Sequence, residues 1–136
     1  MVGFALGLVG FALPLTLFLG TEGLTQVTED PRAIGIGVIA VSAIVKLIAT
    51  SGALSFGFIG GPTFPLLFTG GAFGTVLYVA APDVPEALAV TALMAALASA
   101  VIPAPFSLAV LTLLIGGAGA TEAPPVFVAA LVAFIV

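Results

Sequence analysis

Apolar residues fill this chain in blocks, and the polar positions fall between the blocks rather than alternating with apolar ones. The absence of a period-two pattern argues against a β-barrel, so the blocks predict helices. Val2–Leu19 is a helix candidate that bends or ends near Pro14, with Gly3 and Gly7 spaced for close helix packing. Thr21–Pro31 is the most polar stretch and predicts an interfacial loop with a short helix. Ala33–Leu54 reaches the ~20 residues of a membrane span. A break follows at Ser55–Gly61. Thr63–Ala80 predicts a helix that starts abruptly, with Pro62 suited to the first helical position. Ala81–Pro85 reads as a turn. Glu86–Val101 and Phe106–Ile115 predict two helices shorter than a span, split by Pro103-Ala104-Pro105, which suits a re-entrant pair inside a bundle. Gly116–Pro125 reads as a loop and Val126–Val136 as a further apolar helix. The fold class that follows is all-α, a polytopic membrane protein with broken and re-entrant helices.

Composition sharpens this picture. The chain is 62% hydrophobic and 6% charged, whereas a soluble domain carries about 25% charged residues. Six acids and two bases cannot coat a soluble surface of 136 residues, so an integral membrane protein is expected. Residues 1–21 lack the basic start and the small-residue exit of a signal peptide, and a first membrane helix is the better reading. With only Arg32 and Lys46 to count, the positive-inside rule leaves orientation open. No basic patch exists to meet nucleic acid. The chain has no Cys and no His, which removes disulfides, thiol and imidazole chemistry and most zinc or haem sites. No nucleophile elbow or P-loop is present, so no enzyme and no cofactor are expected. No internal repeat or linker divides residues 1–136, which read as one region.

The stretch from Leu47 to Pro82 carries no charge, yet Ser55–Gly74 is rich in Gly and Pro. Irregular backbone at membrane depth survives only where it is buried in protein or lines a watery cavity. Broken helices around such an interruption point to ion or substrate sites in transporters. The first turn of a helix has N–H groups without intrahelical partners, and the macrodipole adds positive charge there. A helix starting at Gly60–Leu66 can therefore seat an anion without a basic side chain. The candidate site is Gly60, Gly61, Pro62, Thr63, Phe64 and Pro65. Pro62 and Pro65 cannot donate, so the expected donors are the amides of Thr63, Phe64 and Leu66, with the Thr63 hydroxyl adding one more. A few amides also suit conduction, because they release a halide faster than a cationic side chain would. The spacing fits equally well a plain helix start whose glycines serve tight packing.

Other residues read more simply. Lys46 is the one charge within a long apolar helix, and a side chain that snorkels to an interface or polar crevice is expected there. Ala92, Ala96 and Ala100 form a small-residue stripe for helix packing. Ser99 and Ser107 flank the proline break and are expected to bond backbone. Glu122 is expected to be a solvated loop carboxylate.

Taken together, these motifs resemble the CLC chloride channels and chloride/proton exchangers. Lys46-Leu47-Ile48-Ala49-Thr50 is followed by Ser51-Gly52, then Gly60-Gly61-Pro62-Thr63-Phe64-Pro65, then Gly71-Ala72 and Gly74. Met94–Ser107 is similar to the family's Ala-rich helix, its Arg-Ala-Pro break and the next helix. Gly7–Gly20 with Pro14 is similar to the helix and glycine-rich exit that precede the anion motif. The resemblance implies a homodimer with a pore in each subunit, each subunit built from two inverted repeats. This chain resembles most of the second repeat, and the first repeat, absent here, is expected in the same or another chain. The resemblance also implies chloride or a similar small anion as the transported ligand, held by backbone amides in the motif matched by Gly61–Pro65. Carried over by position, the donors fall at Pro62, which has no N–H, and at Thr63, where the family usually has Phe. Pro103 stands where the family has Arg, and Leu114 where it often has Glu. The gating Glu belongs to the first repeat, and Tyr78 does not match the family's pore Tyr. A multi-pass protein of the plasma (inner) membrane, in contact with lipid, is expected.

The leading expectation is thus chloride transport as part of a CLC-type channel or exchanger. The alternatives are a truncated, non-transporting membrane fragment that only assembles with other helices, or half of a small-solute transporter.

Overall fold

The computed structural model describes residues 7, 8, 10–12, 35–57, 60–81 and 83–136. Gly7, Leu8 and residues 10–12 are helical. The rest of the expected Val2–Leu19 helix, the Pro14 bend and the Thr21–Pro31 segment lie outside the described residues. Five helices follow: α1 (Ile36–Ser55), α2 (Thr63–Ala80), α3 (Glu86–Val101), α4 (Pro105–Ile115) and α5 (Ala123–Ile135). No strand occurs among the described residues, so the all-α expectation holds.

Backbone chemistry sets the helix ends. Gly35 (φ 88°) turns the chain into α1 and accepts from the Val38 and Ile39 amides at 3.0 and 3.2 Å. The helix stops where Gly57 takes φ 81°, a left-handed exit that glycine adopts without a Cβ penalty. Pro62 lies just before α2, with φ −74°, and caps it rather than beginning it. The α2 and α3 bounds are those the sequence pattern predicts, and α4 begins one residue earlier, at Pro105. Between α3 and α4 the Ile102 amide still bonds the Ala98 carbonyl at 2.9 Å, and the Ala104 carbonyl already accepts from Leu108 at 3.0 Å. The break is therefore short, built around Pro103.

The expected Gly116–Pro125 loop is shorter than predicted. Pro124 and Pro125 belong to the first turn of α5. A proline in a first turn has a suitable φ, and its missing N–H would have lacked an intrahelical partner anyway.

α2 and α3 form the centre. α2 packs on α1 and α3, and α3 also contacts α4 and α5. One core joins Leu66 and Leu67 to Val90, Met94, Ala98 and Leu108. A second joins Ile39 and Ala43 to Phe68 and Ala72. A third joins Ala95 and Ala109 to Val126 and Ala130. Phe106 and Phe127 tilt against each other with ring centres 6.1 Å apart. The closest approach is between α2 and α3. A Cβ on Gly70 would stand 2.6 Å from the Leu93 carbonyl oxygen and the Met94 Cα, and one on Gly74 2.5 Å from the Val90 Cα. The expected Ala92, Ala96 and Ala100 stripe is only partly used for packing. Ala95 and Ala98 are fully buried, while Ala100 is exposed and Ala96 and Ala100 line a groove of about 320 Å³ with Gly70 and Ala133.

Polarity is inverted relative to a soluble protein. The exposed large side chains of α1 include Ile36, Val41, Ile44 and Ile48, and the buried ones include Ser42 and Lys46. Thr69, Thr75, Thr91 and Thr112 are also buried. Their hydroxyls donate to carbonyls three or four residues back in their own helices, at 2.6–3.2 Å, which satisfies them without water. α1 and α2 are long and apolar enough to cross a membrane. An apolar exterior with the polar groups turned inward suits lipid as the surrounding solvent.

Candidate functional site

The site lies where the chain re-enters α2. Gly60 and Gly61 are exposed, Pro62, Thr63 and Pro65 are half-buried, and Phe64 is exposed. A Cβ added to Gly60 or Gly61 would meet nothing within 4 Å. Their lack of side chains therefore does not serve packing among the described residues, unlike that of Gly70 and Gly74. It leaves the N-terminal end of α2 open.

The donors are fewer than expected. The Leu66 amide donates to the Pro62 carbonyl at 3.0 Å and is not available to a ligand. Leu66 is among the expected donors, but its i→i−4 acceptor is the Pro62 carbonyl whether Pro62 caps the helix or begins it. With Pro62 as the cap, the first i→i−4 bond already uses Leu66. Pro65 has no N–H. Thr63 and Phe64 remain as first-turn amides with no intrahelical acceptor, and the Thr63 hydroxyl sits on the same turn. Such an end can bind an anion through two backbone dipoles and the field of an 18-residue helix. Among the described residues no cluster of metal-ligating side chains occurs.

Upstream, α1 carries the Lys46–Thr50 part of the motif. Lys46 does not reach out to the surface. It is 5% exposed, and its Nζ lies 5.8 Å from the centroid of the Phe68 ring on α2, within cation–π range. Inward packing against α2 replaces the expected snorkelling. Phe68 was not singled out from the sequence, and only its position five residues into α2 could have suggested the contact. Thr50 is half-buried, and Ser51 offers its carbonyl to the Ser55 hydroxyl at 2.8 Å.

The remaining candidates divide. Ser99 was expected to bond backbone, yet its buried Oγ has no hydrogen-bond partner. Serine lacks the branched methyl that restricts the hydroxyl of threonine to positions near the preceding carbonyls. Ser107 is exposed. Glu122 sits in the loop before α5 as expected, half-buried, and accepts from the Thr121 hydroxyl at 3.1 Å. Glu86 opens α3 with one carboxylate oxygen buried and unpartnered, at the helix end that favours negative charge.

Fold and site define an all-α membrane protein of broken helices, with an open helix N-terminus at a glycine break. The chain matches the family described as voltage gated chloride channel over residues 1–136, and it belongs to that family. It is also similar to the "Putative ion-transport protein YfeO" of Salmonella newport, Salmonella agona and Salmonella enteritidis. Each is 39% identical over 90 residues, which cover 65% of this chain and 22% of the relative. The chain thus spans about a fifth of the length of these curated relatives. No solved structure matches it.

Proposed function

We propose that these residues form an anion station in a membrane ion-transport protein, and that chloride is the ion carried. The anion is held by the amides of Thr63 and Phe64 at the start of α2, with the Thr63 hydroxyl beside them and Gly60 and Gly61 giving it room to approach. The observation that carries this reading is the open helix end, where two first-turn amides lack intrahelical acceptors and the two glycines before them crowd nothing. The family description and the printed names of the relatives agree with ion transport. No covalent chemistry and no cofactor are needed. The other wall of the path comes from a first inverted repeat, in the same polypeptide or in another. The exposed apolar face with Phe106, Val110, Leu114, Val128 and Val132 offers a surface for a homodimer or for lipid. We place the protein in the plasma (inner) membrane as a multi-pass protein.

The test exploits a comparison inside the molecule. α5 already carries two consecutive prolines in its first turn, Pro124 and Pro125, directly after Ala123. Phe64→Pro would give α2 the same start and remove one donor while keeping the helix. The experiment is saturable chloride flux in proteoliposomes of the native polypeptide carrying these residues. Phe64→Pro should weaken apparent chloride affinity at least about tenfold, since a hydrogen bond to a charged group contributes about 1.5–3 kcal/mol. Phe64→Ala, which keeps the amide, should stay close to wild type. Equal affinities in all three would sink the amide seat. No chloride flux in wild type would put the non-transporting fragment ahead.

A further inference from the structure

We infer that the hydroxyl of Thr50, on α1, is a further ligand of the anion held at the start of α2. The inference rests on the anion-station reading and extends its donor set. It begins with a comparison of threonines. Among the described residues, Thr69, Thr75, Thr91, Thr112 and Thr121 each donate their hydroxyl to a nearby carbonyl or carboxylate. Thr50 and Thr63 are the two described threonines whose hydroxyls make no hydrogen bond. A threonine inside a helix ordinarily satisfies itself by bonding a carbonyl three or four residues back. For Thr50, inside α1, that carbonyl is on Lys46, and the bond is not made. A hydroxyl left unmet in an apolar setting is a cost, and a ligand that accepts its proton removes the cost.

Helix geometry brings the two free hydroxyls to one level. The buried residues of α1 are Ile39, Ser42, Ala43 and Lys46, a single helical face, and one turn after Lys46 the same face reaches Thr50. One core joins Ile39 and Ala43 to Phe68 and Ala72, with Val76 packed against it, and the Lys46 Nζ lies over the Phe68 ring. Going back along α1 from Lys46 thus meets residues going forward along α2 from Phe68, so the two helices run antiparallel. Thr50 lies about 6 Å beyond Lys46, and Phe64 about 6 Å before Phe68. Thr50 therefore stands level with the first turn of α2, half-buried, on the face of α1 turned toward it. Ser42 also has an unmet hydroxyl, but it lies about 12 Å before Thr50 along α1, too far to share an ion. A neutral hydroxyl strengthens the hold on a halide without the slow release of a cationic ligand.

The experiment measures initial chloride flux against chloride concentration in proteoliposomes of the native polypeptide carrying these residues. The variants are Thr50→Val, which keeps the shape, Thr50→Ala, Thr50→Ser and, as a control, Thr75→Val. Thr50→Val and Thr50→Ala should raise the half-saturating chloride concentration about tenfold, the loss of one hydrogen bond to a charged group, with little change in maximal flux. Thr50→Ser should restore it, and Thr75→Val should leave it unchanged. A fall in maximal flux with half-saturation unchanged would mean that Thr50 only packs, and would overturn the inference. So would an equal shift in Thr75→Val, or the loss of both Thr50→Val and Thr50→Ala from the membrane. Wild-type protein without saturable chloride flux would remove the anion station and the inference with it. A shift in Phe64→Pro with none in Thr50→Val would leave the station standing and overturn the inference alone.

Discussion

Two glycine pairs lie only ten residues apart and do opposite things. Gly60 and Gly61 stand before α2 with open space where a side chain would be, whereas Gly70 and Gly74 lie inside α2 with the backbone of α3 pressed against them. The first pair keeps atoms away from a helix end. The second brings two helices together, with α3 carbonyl oxygens only 2.6–2.7 Å from where a Cβ would stand. In lipid such contacts replace the hydrophobic effect as the source of helix association. The comparison teaches that glycine content marks the region and the neighbours decide the role.

The largest expected effect breaks the crowded pair. Gly74→Val would force a branched side chain against the Val90 Cα, and backbone cannot move aside as a side chain can. We expect a loss of about 3 kcal/mol or more, the upper range for overpacking, or failure of α2 and α3 to pair. The matched control is Gly61→Val, which should change stability by less than about 0.5 kcal/mol, as surface changes do. Thermal unfolding of both variants in detergent checks the contrast. Similar losses at the two positions would erase the distinction between the pairs.

A smaller effect is expected at Gly57. It ends α1 at φ 81° with nothing within 4 Å of an added Cβ, so the constraint is conformational alone. Gly57→Ala should cost about 1 kcal/mol, the penalty of a left-handed backbone for an L-residue. Gly60→Ala, at an open position without a positive φ, should cost less. If the two proved equal in the same unfolding assay, the exit from α1 would not depend on its left-handed turn.

Much of this fold was legible because prolines punctuate it. Pro62, Pro85 and Pro103 sit at the ends of α2 and α3, and the bounds of those helices follow from them. The start of α5 was missed for the same reason in reverse. Pro124 and Pro125 read as a loop, although a first turn accepts both. At the site, the position of the break was legible and its donor set was not. Leu66 lies four residues after Pro62, so its amide stays free only if the helix starts later than Thr63, and the start at Thr63 closes it onto the Pro62 carbonyl. Helix faces were illegible throughout. With Ile and Val on both the lipid side and the protein side of α1, no periodicity separates them, and the inward turn of Lys46 needs the position of Phe68. The sequence also spaces Gly70 and Gly74 four apart, but only the position of Ala89–Met94 shows that this pair is the seam.

The smallest prediction concerns what close packing does to polar groups. On the inward face of α1, Ser42 is fully buried and its hydroxyl has no hydrogen-bond partner. Thr75, equally buried on α2, donates to the Gly71 carbonyl at 3.2 Å. An unmet hydroxyl in an apolar setting is a cost, and a met one is a modest gain. Ser42→Ala should therefore leave stability unchanged or raise it by up to about 1 kcal/mol. Thr75→Val, which keeps the shape and removes the bond, should lower it by about 0.5–1 kcal/mol. Each hydroxyl belongs to the packed interior, so neither change should alter the apparent chloride affinity. A drop in affinity on Ser42→Ala, with stability unchanged, would mean that its hydroxyl meets an ion, and the line between the packed and open regions would then have to be redrawn through α1.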